Sequence, residues 1–231
     1  MSIHHNNIPS TLFVFMDGPS RMKTLQQPRA IKTRDRILRS AARLFAIKGF
    51  RGTTVGDVVK SAEVTSGAFF HHFGSKDDLG FAVIERHMEL RRRELDRIEA
   101  EMPAETQPHP LDPVFRRLDA VREMVARRKL KQGGCVIGNL STALADTHPE
   151  FRRQLSACFD EMAAEFQPGL DAAAHACGAE QRMETAEVAR YIVTIIEGAI
   201  MLSRTGRDLQ LLDRHFEYLK DHLRQMFAAS H

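Results

Sequence analysis

Tryptophan is absent from this 231-residue sequence, and only two tyrosines and three cysteines occur in it. The cysteines (Cys135, Cys158 and Cys177) form no CxxC or Cys/His cluster, and their odd number fits no disulfide framework. There is no secretory signal, and the longest apolar run near the start, Leu12–Met16, is far too short to span a bilayer. These absences predict a protein of the reducing cytoplasm that does not enter a membrane.

Catalytic and metal-binding patterns are missing as well. The sequence has no Ser/His/Asp order, P-loop, GxGxxG or metal-ligand spacing. Glu197 could be a buried acid in an apolar helix, but it has no recognisable catalytic partner. Adjacent histidines on a helix point in different directions, which disfavours a metal ion shared by His71 and His72. We predict that the protein is not an enzyme and needs no metal or cofactor.

Regular alternation of apolar and polar residues, which is typical of strands, is also absent, so the fold is predicted to be all-α. The first firm helix, Arg34–Lys48, ends at Gly49 as a helix with a C-cap glycine would. A long helix is predicted from Ser75 to about Ile98. Further helices are predicted at residues 113–130, 135–146, 149–176, 185–203 and 208–227. Pro168–Gly169 should kink or split the helix that contains it.

Positive charge is concentrated near the amino terminus. Residues 21–80 contain 12 Lys and Arg against 5 Asp and Glu, whereas residues 81–231 contain 21 against 24. A basic amino-terminal part joined to a slightly acidic remainder indicates a polyanionic partner for the first part only.

The stretch Thr54–Phe73 is predicted to form two short helices joined by a tight turn. Apolar residues in its first half repeat at three- and four-residue spacing, and the Thr54 hydroxyl can cap that helix. Glu63–Thr65 then interrupts the pattern, and Ser66 opens a second helix that ends in FFHHF. Such a pair is the unit that places its second helix in the major groove of DNA.

The sequence around this unit resembles the TetR family of bacterial transcriptional repressors. The resemblance rests on LFAIKGF followed by RGTTVGDVVKSAEVTSGAFFHHFGSKDDL, in the family's order and without a gap. A later stretch, GCVIGNL, is similar to one found in one branch of the family's effector domains. Residues 1–28 contain three prolines and no helical period, which predicts a flexible arm; the alternative is a basic tail that touches DNA. The resemblance implies a three-helix DNA-binding domain at 29–80 and a helical effector-binding and dimerisation domain at 81–231.

The same resemblance implies which residues meet DNA. Thr54 and Lys76 would bond backbone phosphates, while Phe69 and Phe73 would pack inward. The full set of implied DNA-binding residues is Thr53, Thr54, Thr65, Ser66, Gly67, Ala68, Phe70, His71, His72 and Lys76. Phe70 stands where relatives usually have a phosphate-binding Tyr, and Ser66 where they often have Lys. These two departures leave open an alternative, a helical protein-interaction adaptor that has lost operator binding.

The interior of the second domain is predicted to hold a small-molecule effector. Its middle helices are rich in Met and Phe, and such an adaptable interior suits an apolar or aromatic ligand. The candidate lining residues are Phe115, Leu118, Cys135, Phe159, Met162, Phe166 and Tyr191. The alternative for each of them is ordinary core packing.

Cys135 follows two glycines at the predicted start of a helix. The helix dipole and nearby Lys129 and Lys131 would lower the pKa of its thiol, which suggests an electrophile or redox sensor. The alternative is a buried, unreactive cysteine.

The last two helices carry apolar seams that suit packing of one helix on another. Because Tyr191, Ile196 and Met201 lie off the seam, the penultimate helix has more apolar surface than one core needs, which favours association of two copies of the chain. The alternative is that the seam packs inside the chain's own core. The predicted interface residues are Val188, Ile192, Ile195, Ala199, Leu212, Phe216, Leu219 and Leu223. We therefore expect a homodimeric repressor that binds a near-palindromic operator and is released by a small apolar or electrophilic inducer.

Overall fold

A computed structural model describes residues 20–103, 109–127, 134–179 and 183–228, with side chains from residue 29 onward. These residues form ten α-helices and no strands, which confirms the all-α prediction. The helices are α1 Ser20–Lys48, α2 Val55–Ala62, α3 Ser66–His72, α4 Lys76–Glu101, α5 Asp112–Arg127, α6 Val136–Leu144, α7 Pro149–Ala164, α8 Gln167–Ala176, α9 Thr185–Gly206 and α10 Leu209–Phe227. None of the described helices is long and apolar enough to cross a membrane.

The start of α1 and the division between α7 and α8 bear on two predictions made from the sequence. The first helix begins at Ser20, so residues 20–28 of the predicted flexible arm are helical, and residues 1–19 lie outside the described part. The predicted helix at 149–176 is two helices, because Pro168 cannot donate a backbone hydrogen bond and stands in the first turn of α8. The predicted split is therefore confirmed.

The amino-terminal helices α1, α2, α3 and the start of α4 share a small core. Ile37 and Ala41 of α1, Val58 of α2 and Phe69 of α3 are fully buried. Arg34 lies with its guanidinium carbon 5.2 Å from the centre of the Phe73 ring, at the end of α3. Because α2 and α3 are too short to be stable alone, this packing against α1 fixes their positions.

The larger part of the chain is built from the rest of α4 and from α5 to α10. The helices α9 and α10 form an antiparallel pair, and α9 also packs against α7 and α8. The predicted interface seam lies inside this packing. Seven of its eight residues are buried within the single chain, namely Val188, Ile192, Ala199, Leu212, Phe216, Leu219 and Leu223.

The assignment of these seven residues to a subunit interface is therefore wrong, because their side chains already contact their own chain. Only Ile195 of the predicted set stays partly exposed. The apolar surface that this part of the molecule leaves open lies elsewhere on the pair, at Tyr191, Met201, Leu202 and Tyr218.

A cluster of aromatic rings joins the two parts of the molecule. Phe50, in the turn after α1, packs with its ring centre 5.2 Å from that of Phe151 on α7. Phe151 is stacked on Phe81 of α4 at 4.2 Å. Nearby, a guanidinium nitrogen of Arg51 donates a 2.6 Å hydrogen bond to the Thr147 hydroxyl. The predicted domain boundary at residue 80 thus falls within α4, beside this cluster.

Candidate functional site

The helix α2 starts with a reciprocal cap. The Thr54 hydroxyl accepts a hydrogen bond from the Asp57 amide at 3.1 Å, and the Thr54 amide donates to the Asp57 carboxylate at 2.9 Å. The Lys48 ammonium lies 3.2 Å from the same carboxylate. Hydrogen bonds from Thr54 and then Lys48 lower the pKa of Asp57 to about 2. The cap thus stays charged at any ordinary pH and fixes the direction of α2.

The helix α3 presents one exposed face. Ser66, Gly67, Phe70 and His71 are exposed, and their spacing of one, three and one residues places them on the same side of a helix. The Phe70 ring is 57% exposed. The opposite side carries Phe69, which is fully buried as predicted. The exposed face thus carries one apolar ring, that of Phe70, between the polar side chains of Ser66 and His71.

The start of α3 is also capped, which positions the other predicted contacts. The Thr65 hydroxyl accepts a hydrogen bond from the Ala68 amide at 3.1 Å. Ala68 and His72 are half-buried at the edges of the exposed face. Burial, together with the positive charge of His71 and Arg34, lowers the pKa of His72. The half-buried His72 is therefore less readily charged than an ordinary histidine.

Two of the predicted DNA-binding residues have other roles in the structure. Thr53 is fully buried, and its hydroxyl donates to the Gly49 carbonyl at 2.9 Å, so its predicted contact with DNA is wrong. The Lys76 ammonium donates to the carbonyl groups of Phe50 and Thr53, each at 3.2 Å, and lies 4.4 Å from the centre of the Phe50 ring. Lys76 therefore fastens the turn between α1 and α2 instead of standing as a free cation for a phosphate.

A cavity of about 260 Å³ lies in the larger part of the molecule, among α4, α5, α6, α7 and α9. Its walls are mainly apolar, and its polar groups come from four residues. The apolar lining consists of Val121, Met124, Val125, Val136, Met162, Phe166, Val193, Ile196 and Ile200. The polar lining consists of His87, Arg91, Cys135 and Glu197. Such a mixture can hold a small, largely apolar molecule in one orientation.

Only part of the predicted lining set surrounds this cavity. Cys135, Met162 and Phe166 line it, whereas Phe159 lines an adjoining cleft. Phe115 and Leu118 belong to the core between α5 and its neighbours, so their assignment to the cavity is wrong. Tyr191 faces outward and packs its ring 5.6 Å from that of His222, so its assignment is wrong for the opposite reason.

Arg91 lines the cavity but is not one of the lining residues predicted from the sequence. It is 6% exposed, and its guanidinium lies 2.6 Å from the Glu165 carboxylate. A signal was available, because Ile84, Met88, Arg91 and Leu95 follow one another at four- and three-residue spacing on the buried side of α4. An Arg on an apolar stripe indicates a buried, paired charge.

The thiol of Cys135 differs from its predicted state. Cys135 caps α6, and its sulfur accepts a hydrogen bond from the Gly138 amide at 3.5 Å. Burial, and then the negative charge of Glu197, raise the pKa of the thiol above its ordinary value. These effects outweigh the helix dipole, so the predicted lowering of the pKa is wrong. Lys129 and Lys131, which entered that prediction, lie outside the described residues.

Two protein-family models match the chain. One is described as bacterial regulatory proteins of the tetR family and matches residues 37–83. The other is described as a tetracyclin repressor-like carboxyl-terminal domain and matches residues 110–219. The first match contains α2, α3 and the caps, and the second contains most of the residues around the cavity.

Relatives agree with both matches along most of their length. An uncharacterized HTH-type transcriptional regulator of Lactococcus lactis is 26% identical over 188 residues, which are 81% of this chain and 91% of that one. The HTH-type transcriptional repressor DhaR of a Mycobacterium species is 24% identical over 78% of this chain and 87% of that one. A crystal structure of a TetR transcriptional regulator from Chloroflexus aurantiacus superposes with a TM-score of 0.73 at 27% identity, covering 86% and 97% of the two chains.

Proposed function

The chain belongs to the TetR family of bacterial transcriptional regulators, and we propose that it is a repressor that binds operator DNA as a homodimer and is released by a small molecule. The observation that carries the proposal is the capped helix α3 with its open face at Ser66, Gly67, Phe70 and His71. This face would enter the major groove, and the basic charge of residues 21–80 would attract the phosphates.

The contacts of this face with DNA would be unusual for such a repressor. Ser66 and His71 can offer hydrogen bonds, while the Phe70 ring can only offer an apolar contact, for example to a thymine methyl group. The exposed Thr54 and Thr65 stand beside the first turns of α2 and α3, where free backbone amides favour a phosphate. The face is thus suited to close contact with few charges.

A dimer would use the open surface of α9 and α10. Tyr191, Met201, Leu202 and Tyr218 form large exposed side chains on that pair, with Tyr218 68% exposed. Burying such side chains between two copies would supply the hydrophobic driving force for association. A symmetric dimer would then hold two α3 helices about one turn of DNA apart, roughly 34 Å, which accounts for a near-palindromic operator.

Release by a small molecule would act through α4. His87 and Arg91 of this helix line the cavity, while its first residue, Lys76, holds the turn before α2. A ligand that binds better to one position of α4 than to another would shift the population toward the arrangement it prefers. The raised pKa of Cys135 argues against the alternative of a reactive thiol sensor, because the thiolate is the nucleophile.

The proposal is tested by fluorescence anisotropy with duplex DNA from the region upstream of the chain's own reading frame. Ser66→Lys adds a cation on the exposed face, so it should tighten binding and steepen the log–log salt dependence by about 0.9 per added phosphate contact. Gln210→Lys adds the same charge at an exposed position of α10 and is the matched control. Equal salt slopes for the two variants would contradict the placement of α3 on DNA, and no binding to any duplex would favour the adaptor alternative.

A further inference from the structure

The polar lining of the cavity includes one guanidinium, that of Arg91, and one carboxyl group, that of Glu197. Arg91 and Glu165 form one ion pair at 2.6 Å, with side chains 8% and 10% exposed. The pair leaves one Glu165 oxygen, Oε2, buried without a hydrogen-bond partner. The positive charge of Arg91 is therefore already paired with the Glu165 carboxylate, and Arg91 is not a dedicated ion-pair partner for Glu197.

Glu197 is the carboxyl group of the cavity that lacks an ion-pair partner among the described Lys and Arg residues. Among the described residues, no Lys or Arg lies within ion-pair distance of its carboxyl, whose hydrogen-bond partner is the Cys135 thiol. A Cβ atom on residue 138 would lie 2.6 Å from Oε2 of Glu197. The carboxyl group can therefore pack this close to α6 only because residue 138 is glycine. Burial raises the pKa of Glu197, with the Cys135 hydrogen bond and the Arg91 charge acting in the opposite direction.

The remaining polar groups near this carboxyl change the balance little. His87 of α4 lines the same cavity and already takes part in an interaction of its own. Glu197 also lines the adjoining cleft, where the exposed Arg204 donates a 2.9 Å hydrogen bond to the Asn139 side chain. Because Arg204 is exposed to solvent, its charge is screened, and it does not form an ion pair with Glu197.

This arrangement distinguishes among classes of effector. An anionic molecule would meet the Glu197 carboxyl group and a guanidinium that Glu165 already pairs. A neutral molecule would leave Glu197 desolvated and without a cation. A cation would give the Glu197 carboxylate an ion-pair partner while its apolar body fills the rest of the cavity.

We infer that the effector, whose site is the one proposed above, is a lipophilic cation: a small apolar or aromatic molecule with one protonated amine or amidinium held by Glu197. The apolar walls from Val121, Phe166 and Ile196 bind its body, and the Cys135 thiol is a hydrogen-bond partner of the carboxyl group. Specificity for charge then resides in Glu197 of α9, and specificity for shape resides in apolar residues of α5, of α9 and of the turn before α8.

Isothermal titration of the full chain with three probes of one carbon skeleton tests the inference. The probes are 3-phenylpropylammonium, 3-phenylpropanol and 3-phenylpropanoate, all at neutral pH. The ammonium probe should bind about tenfold tighter than the alcohol or more, since hydrogen bonds to charged groups exceed neutral ones by that order. Glu197→Gln, which keeps the shape of the side chain, should abolish the difference. Glu187→Gln, at an exposed position of the same helix, should leave it unchanged.

Three outcomes would overturn the inference: the alcohol or the carboxylate binds as tightly as the ammonium probe, Glu197→Gln keeps the preference, or none of the probes binds. Melting curves of both variants, followed by circular dichroism, establish that they fold. The proposed repressor function is measured separately, by DNA binding without any probe. If the protein binds its operator but shows no preference for the ammonium probe, only the cationic effector is refuted. If the protein does not bind operator DNA, the proposed repressor function is refuted.

Discussion

Gly80 is the position where one added methyl group should disturb the joint between the two parts of the molecule. A Cβ atom there would lie 2.7 Å from Cζ of Phe151 and 2.8 Å from Cε2 of Phe50. Carbon atoms in contact prefer about 3.5–4.0 Å, so both rings would have to move by about 1 Å. The rings are buried and touch further aromatic side chains, which leaves them little room to do so.

The cost of Gly80→Ala follows from two opposing effects. Overpacking a core of this kind costs about 1–3 kcal/mol, whereas Gly to Ala within a helix stabilises by up to about 1 kcal/mol. Gly198→Ala in α9 is the matched control, because nothing lies within 4 Å of its Cβ position. We therefore expect Gly80→Ala to be about 1–3 kcal/mol less stable than Gly198→Ala, and no more stable than the unmodified chain.

Urea denaturation followed by far-UV circular dichroism measures this difference. Replacing Phe151 by Leu in the Gly80→Ala background should recover part of the loss, because the ring that the methyl group meets is gone. The two changes should therefore be non-additive by about 0.5–3 kcal/mol, as expected for residues in contact. If Gly80→Ala is as stable as Gly198→Ala, or if the double variant is additive, the tight packing at this joint is refuted.

Three further changes test the DNA-facing surface of α3, the cap of α2 and the buried ion pair of α4. Gly67→Ala should fold normally, because its Cβ would come no closer than 4.0 Å to the Thr65 hydroxyl. The added methyl group should nevertheless separate α3 from the phosphates and weaken DNA binding, as measured by anisotropy. Unchanged affinity would contradict a close contact between Gly67 and DNA. Asp57→Asn should lower the melting temperature at neutral pH. Because the pKa of Asp57 is lowered to about 2, the stabilisation is present above the ordinary carboxyl pKa and is lost as the pH falls through about 2, so the two melting temperatures should converge on acidification. A constant gap would refute the cap. Arg91→Met should cost about 3–5 kcal/mol in urea denaturation by leaving the Glu165 carboxylate buried alone, and a double Arg91→Met, Glu165→Met variant should recover most of it.

The DNA-binding unit was the part of the molecule most open to prediction, because its signals are local. The predicted cap at Thr54 depends on residues three positions apart, and the structure shows its hydroxyl accepting the expected amide hydrogen bond. Thr65 and Ser75 cap α3 and α4 through the same spacing. Thr53 and Lys76 were misjudged because their partners are carbonyl groups in the turn after α1. No spacing rule reveals a contact between a lysine and a backbone oxygen 26 residues earlier.

The seam between α9 and α10 shows what periodicity leaves open. The pattern through Val188, Ile192 and Ala199 identifies the side of α9 that packs, but a partner helix in the same chain and one in a second copy require the same pattern. Burial within the chain decides between them. The large residues that remain outside the seam, such as Tyr191 and Met201, carry the better information about self-association, because a single chain leaves them uncovered.

Cys135 and Glu197 illustrate a second kind of limit. The two glycines before Cys135 predicted that a helix starts there, and hence that its dipole acts on the thiol. Glu197, however, lies 62 positions after Cys135, and only the packing of α9 beside α6 brings its carboxyl group to the thiol. A nearby negative charge and burial both oppose formation of a thiolate, whereas the dipole favours it. The sign of the pKa shift was therefore decided first by burial of the thiol and then by the nearby carboxylate, and both depend on tertiary packing.

The helix α4 unites these observations in one element. Its first turn holds the α1–α2 turn through Lys76, its second turn carries Gly80 at the aromatic joint, and its middle brings Arg91 to the cavity. From Lys76 to Arg91 the helix rises about 22 Å, at 1.5 Å per residue. A buried ion pair with Glu165 fixes the far end of this span, and packed rings fix the near end. If a ligand displaces α4 at the cavity, as proposed, we expect the contact of Gly80 with Phe50 to carry that displacement toward the α1–α2 turn, so that Gly80→Ala should weaken the effect of the ligand on DNA binding.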